Sequence, residues 1–242
     1  KASGLCRDPY MGLIIAINQA GRIKVYASGQ ECEIMIARAN EMLEKEELVN
    51  NSTGFVHALA IKCIVLGYTR LGNMEEALRI LEKAFPEIPD TQEYSLLKAG
   101  LLTDRGICKE YLGEHDEALQ DFRSAIAIHG KILGSDSRQA ANTYFWMGMS
   151  YMGGGNASEA AVCFEKTIPG MRCGVPGDKW KMYWNAGYSF QQSGDYEKAK
   201  EYLLKAYVHN QAVIKEATAF VDEERRYEVE IKEALRAIYE ME

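Results

Sequence analysis

One short pattern occurs four times in this chain, and that recurrence restricts the fold more than any other feature. The copies are Gly72-Asn73-Met74-Glu75-Glu76-Ala77-Leu78, Gly113-Glu114-His115-Asp116-Glu117-Ala118-Leu119, Gly155-Asn156-Ala157-Ser158-Glu159-Ala160-Ala161 and Gly194-Asp195-Tyr196-Glu197-Lys198-Ala199-Lys200. A turn after each alanine stands a large apolar residue: Leu81, Phe122, Phe164 and Leu203. The alanines lie at 77, 118, 160 and 199, so the spacings are 41, 42 and 39 residues. A period of that length marks stacked helical units, each burying its apolar face only against its neighbours. Such arrays serve more often as surfaces than as catalysts, which points to a binding module.

Each recurring glycine sits where one helix ends and the chain reverses, because glycine reaches the left-handed conformation without steric cost. The next residue opens the second helix. Asn73, Asn156 and Asp195 are good N-caps, and Glu76 and Glu159 stand where a capping box needs them. Glu114 is the poor cap, with Glu117 supplying an acidic first turn. Asp90 with Glu93 opens a helix after Pro86 and Pro89, and Ser135 or Asp136 opens another after Gly134. Ala77, Ala118, Ala160 and Ala199 belong where paired helices approach most closely, with Gly106, Gly148 and Gly187 expected beside the last three and Val65 beside the first. These signals predict helices over 53–71, 74–85, 91–112, 115–132, 137–153, 156–168, 179–193 and 196–209. Alternating pairs of this kind build a right-handed superhelical solenoid of helix-turn-helix repeats, an all-α fold with terminal capping helices.

Lysine and arginine number 28 against 35 acidic residues, a net charge of −7. No dense basic run is present, so phosphate-backbone binding is not expected and nucleic acid is excluded as a partner. No apolar run reaches membrane-spanning length, which excludes a membrane partner as well. The six cysteines (Cys6, Cys32, Cys63, Cys108, Cys163, Cys173) form no C-x-x-C pair and read as reduced, structural thiols of a cytoplasmic protein. Asn51-Ser52-Thr53 and Asn156-Ala157-Ser158 match the glycosylation sequon by chance, Asn156 being explained as a cap. The chain begins at Lys1 rather than Met and reads as a processed or excised piece.

The four units resemble the tetratricopeptide repeat, whose order is a small residue, an aromatic, Gly, Ala, a large apolar residue and Ala. The third unit matches with Gly148, Tyr151, Gly155, Ala160 and Phe164, then departs at Thr167. The fourth has Gly187, Phe190, Gly194, Ala199, Leu203 and Ala206. The second has Gly106, Gly113, Ala118, Phe122 and Ala125, with Lys109 replacing the aromatic, and the first has Tyr68, Gly72, Ala77, Leu81 and Ala84. The period exceeds the common one of about 34 residues. With the linker from Ile128 to Asp136, it resembles the longer repeats of kinesin light chain.

This divides the chain into an N-terminal degenerate cap (1–51), four repeats (52–209) and a C-terminal capping helix (210–242). Leu13–Asn18 and Arg22–Tyr26 fit either a degenerate helical cap, the preferred reading, or a β-hairpin across Gln19-Ala20-Gly21. Ser28-Gly29-Gln30-Glu31 then opens a helix to about Glu47. From Ala217 to Met241, Phe220, Val221, Tyr227, Val229, Ile231, Ala234, Leu235 and Ile238 among many charges suit a long amphipathic cap with one wet face.

Chemistry is hard to assemble. His57, His115, His129 and His209 have no ligand-type partner at helical spacing, so neither a metal site nor a cofactor is expected. His115 and His209 read as solvated. Gly153-Gly154-Gly155 lacks a following Lys-Ser/Thr and closes a turn instead. Asp222-Glu223-Glu224 is followed by Arg225 and Arg226, a solvated helix face. No nucleophile stands with a base, so no enzyme is expected.

The resemblance implies that the first helix of each pair lines the concave side. That places Asn142, Phe145, Trp146, Met149 and Met152 there from the third unit, and Lys181, Trp184, Asn185, Tyr188, Gln191 and Gln192 from the fourth. Lys62, Arg70, Asp104 and Glu110 come from the first two. Aromatics anchor interfaces, and asparagine amides bond an extended backbone. The expected peptide-binding set is Asn142, Phe145, Trp146, Met149, Lys181, Trp184, Asn185 and Tyr188, with Lys181 favouring an acidic residue or a free C-terminus. A competing reading packs several of these aromatics under neighbouring helices or the C-terminal cap. The clamp that co-chaperone repeats use for a chaperone's C-terminal carboxylate is broken, since Leu66 follows Lys62 where asparagine is needed.

The expected function is a non-catalytic protein-interaction scaffold holding a partner peptide. The alternative is a ligand- or peptide-sensing regulatory domain of a larger signalling protein. A homo-oligomer stays open.

Overall fold

The computed structural model describes residues 29–44, 65, 68–69, 71–88, 92, 94–171, 176–216 and 222–240. The expectations for 10–27, for most of 53–71 and for Asp90 lie outside them, as do Cys6, Cys63 and Cys173. The described elements are all helical. In chain order they are α1 (Gly29–Glu44), α2 (Met74–Ala84), α3 (Ser95–Tyr111), α4 (His115–Leu133), α5 (Arg138–Gly153), α6 (Ala157–Gly170), α7 (Pro176–Ser193), α8 (Tyr196–Glu216) and α9 (Asp222–Tyr239). A short 3-10 turn, Phe85–Glu87, follows α2. Two units are distinguished, residues 1–112 and 113–242.

In the first unit α2 packs on α3. Its core joins Val65, Ala77, Leu81, Ala84, Ile88, Tyr94, Leu101 and Cys108. Val65, which breaks the small-residue pattern, is fully buried. On α1, Cys32, Ile36 and Ala39 are buried.

In the second unit α4, α5, α6, α7, α8 and α9 each pack against the next. The core runs from Ala160, Ala161 and Phe164 through Trp180, Phe190, Ala199 and Leu203 to Ile231, Leu235 and Ile238. The large apolar residue of each pattern is the core anchor, with Phe164 and Leu203 at 1% and 0% exposure.

The turns are built from local bonds. Gly72, Gly155 and Gly194 have φ of 76°, 76° and 84°, the left-handed values the sequence requires of them. The residue after each glycine donates its N–H back to the helix it has just left: Asn73 to the Tyr68 carbonyl (2.9 Å), Asn156 to Tyr151 (2.7 Å) and Asp195 to Phe190 (3.0 Å). Each glycine N–H also bonds back into that helix, which completes a Schellman motif. The same three residues then cap the following helix, their side chains accepting from the N–H groups of Glu76, Glu159 and Lys198. One residue therefore closes one helix and opens the next. Because its own N–H is already taken, the reciprocal half of a capping box has nothing to bond. Glu76 instead accepts from Arg79 at 2.6 and 2.8 Å. Glu114 makes no side-chain cap.

Four expectations are corrected. The cap of α5 is Ser137, accepting from Ala140 N–H at 3.3 Å, rather than Ser135 or Asp136. The third helix begins at Ser95, behind Tyr94, which caps nothing with its side chain. The helix expected over 196–209 runs on to Glu216. The closest neighbours of Gly148 and Gly187 are Phe164 and Leu203, not the alanines; a Cβ there would lie 2.8 Å from either side chain. The alanine sites remain fully buried. Ala160→Leu should therefore lower stability by roughly 1–3 kcal/mol through overpacking. Thermal unfolding identical to the parent's would remove that alanine from the crossing.

Candidate functional site

Helices α5 and α7 carry every residue of the expected peptide set. On α5, Asn142 is exposed, whereas Phe145, Trp146 and Met149 are half-buried. Phe145 meets Trp146 edge-on, with ring centroids 5.4 Å apart at 78°, and leans on Phe164 at 5.8 Å. Phe145 and Met149 thus stand partly in the core, as the competing reading holds, and offer only an edge to solvent.

On α7, Trp184 and Tyr188 lie one helical turn apart and stack, with centroids 5.6 Å apart and 26° between planes. Tyr188 is 39% exposed. Asn185 is half-buried between them in sequence and makes no side-chain hydrogen bond to any described residue.

The C-terminal helix α9 reaches this face, as the competing reading allowed, with Trp184 half-buried against it. It runs antiparallel to α8, where Lys200 lies 4.2 Å from the Tyr239 ring, Lys232 lies 5.5 Å from the Tyr207 ring and Asn210 Nδ2 donates to the Glu224 carbonyl. It runs alongside α7 in the same direction, pairing Lys181 with Glu223, Trp184 with Tyr227 and Gln191 with the Ala234 carbonyl. Tyr227 is wedged between Trp180 (4.8 Å) and Trp184 (6.0 Å, 73°). Trp180 is fully buried, and its indole N–H finds no acceptor among the described residues.

Two of the concave-face expectations change in consequence. Lys181 is not a free cation at the rim: its Nζ lies 2.9 Å from Glu223 Oε2. Gln191 gives its amide to the Ala234 carbonyl at 3.3 Å. Tyr227 and Glu223 were within reach of sequence reasoning, since both share a helix stripe with Ile231 and Ala234, but nothing local names the helix that stripe meets.

The other reactive side chains have structural explanations. Burial pushes the Cys108 thiol up to about 12 and the Cys163 thiol up to about 11, so neither forms a thiolate near neutral pH. The Tyr202 hydroxyl is also raised, by burial and by donating to Glu165 Oε1 at 2.7 Å. His209 is not simply solvated. It stacks on Tyr183 at 5.2 Å and 15°, and burial, with Lys179 nearby, lowers its pKa. His115 is half-buried against Gly153, where a Cβ would come within 2.4 Å of its ring. The glycine run thus makes room for that ring and forms the left-handed turn at Gly155. Among the described residues no group of three His, Cys, Asp or Glu side chains is placed to hold a metal ion. Nor is any helix among them long and apolar enough to cross a membrane.

Residues 97–172 and 181–207 match tetratricopeptide-repeat families. No curated protein matches the chain significantly. Among solved structures, BtubC (BKLC) from P. vanneervenii is similar at a TM-score of 0.62 and 16% identity, over 88% of this chain and 91% of that one. A putative kinesin light chain of nearly identical TPR-like repeats from Podosopora anserina matches at 0.61 and 12% identity, over 87% and 100%. The MamA protein matches at 0.56 and 19% identity, over 86% and 97%. At these identities the likeness is one of fold, an all-α solenoid of helix-turn-helix repeats. The two matched stretches are tetratricopeptide repeats, and the pattern they carry recurs in register four times along the chain.

Proposed function

We propose that the chain is a non-catalytic interaction scaffold that holds an extended peptide segment of a partner protein along α5 and α7. Repeat arrays of this family serve protein–protein interaction in general, and the finer reading rests on one observation. The Asn185 amide is uncommitted to any described residue, beside a Trp184–Tyr188 stack in which Tyr188 is exposed and Trp184 half-buried. Residues one turn apart on a helix face the same way, so ring faces and a side-chain amide present themselves together. Such a combination grips a peptide backbone with little dependence on its sequence. Asn142 and the Phe145–Trp146 edge extend the same chemistry along α5.

Truncating a buried aromatic hot spot costs at least ~2 kcal/mol. Trp184→Ala should therefore weaken binding about thirtyfold with helix content intact by circular dichroism, and Asn185→Ala should weaken it too. The natural partner, recovered by affinity capture on the parent and measured by titration, is the ligand to use. If both variants bind it as well as the parent, the site lies elsewhere.

A further inference from the structure

We infer that Glu223 sets what the fourth repeat accepts: it occupies the Lys181 ammonium from within the chain, so the bound segment is an extended peptide that gains nothing from a carboxylate at that point. This rests on the peptide-groove reading above and narrows its partner. The Lys181 ammonium is held between the Glu223 carboxylate at 2.9 Å and the Trp180 ring at 5.4 Å. Glu223 stands one turn before Tyr227, which is wedged against Trp180 and Trp184, and two turns before the fully buried Ile231. The carboxylate therefore sits on an anchored helix rather than on a loop.

Past Lys181, α7 carries no further charge along this face, Asp178 and Lys179 lying in its first turn. Apart from Arg138 no residue of α5 is charged. What the two helices present along their length is amide and ring: Asn142, Asn185, Gln192 and Tyr188. A partner carboxylate arriving at Lys181 exchanges with Glu223, one ion pair for another, and adds nothing to the affinity. A neutral segment uses the Trp184–Tyr188 stack and the Asn185 amide without disturbing either charge. Lys181 and Glu223 are 36% and 52% exposed, so their pairing is screened and each exchange is worth little in either direction.

The test is selection from a phage-displayed library of random peptides on the parent and on Glu223→Gln, followed by fluorescence anisotropy. The parent should show no enrichment of Asp or Glu in the selected sequences. A glutamate scan of a selected peptide should leave parent affinity within about twofold at every position, with little salt dependence. Glu223→Gln, which removes the internal carboxylate, should bind one glutamate-bearing peptide up to about fivefold more tightly than its neutral form. That gain should vanish at high salt and in the Glu223→Gln/Lys181→Gln double variant. Glu223 is half-exposed, and thermal unfolding checks that the variant is folded. Salt-sensitive enrichment of acidic peptides by the parent, or no gain in Glu223→Gln, overturns the inference and leaves the groove reading intact. Failure to select any peptide whose binding depends on Trp184 overturns both.

Discussion

Deletion of residues 218–242 is expected to lower stability by on the order of 5 kcal/mol and to make the chain self-associate. Helix α9 contributes three large apolar residues to the core, Ile231, Leu235 and Ile238, at 0%, 8% and 1% exposure. Burying a side chain of that size is worth roughly 1.5–3 kcal/mol, an upper range because unfolded chains are already partly compact. The truncated array also loses Tyr227 from its place against Trp180 and Trp184. It exposes the faces of α7 and α8 that α9 covers. A solenoid end left apolar finds another copy of itself. Urea unfolding and light scattering measure the two effects separately. A monomer of parental stability would remove the capping role. If the deletion does not fold, Ile231→Ala measures the same anchorage, with an expected loss of about 2–5 kcal/mol.

Gly170→Val should cost about 3 kcal/mol, at the upper end of overpacking. Gly170 ends α6 where it presses on the start of α5. A Cβ there would lie 2.5 Å from the Ala141 Cβ and 2.7 Å from the Ser137 carbonyl, with the Asp136 carbonyl at 3.1 Å. Two of these neighbours are backbone oxygens, which cannot rotate aside as a long side chain would, and Ser137 is also the cap of α5. The substitution therefore lifts one helix end off the other. Gly130→Ala is the control, because Gly130 lies within α4 with nothing inside 4 Å of a new Cβ. It should be neutral or gain up to about 1 kcal/mol from reduced chain entropy. Equal midpoints for the two variants in chemical denaturation would contradict this account of the Gly170 contact.

These two positions differ in how far they can be read in advance. The cap's apolar stripe is visible as helical periodicity, and Ile231, Ala234, Leu235 and Ile238 are buried in it, with Tyr227 half-buried; Val229, off that stripe, is exposed. Nothing about Gly170 distinguishes it in sequence from Gly130, since its importance comes from the backbone of α5. The cap of α5 teaches the same lesson. Ser135, Asp136 and Ser137 are equally able to cap, and the one that does is Ser137, whose carbonyl lies against Gly170. Gly148 and Gly187 were recognisable as crossing residues. Their partners, Phe164 and Leu203, were not, because spacing along the chain does not specify how two helices are rotated about their axes.

The sequence by itself determined the repeating unit, the helices around it, the left-handed turns and the caps at Asn73, Asn156 and Asp195. All of these are made by bonds between residues no more than five apart, so a short pattern contains everything they need. It also marked Trp184, Asn185 and Tyr188 as one face of one helix. Only the tertiary structure decided which polar groups on that face are already committed within the chain. Lys181 is taken by a carboxylate 42 residues away, and Gln191 by a carbonyl 43 residues away. Those pairings depend on the direction and register with which α9 lies beside α7, and that placement is set by packing across the whole second unit rather than by any local pattern.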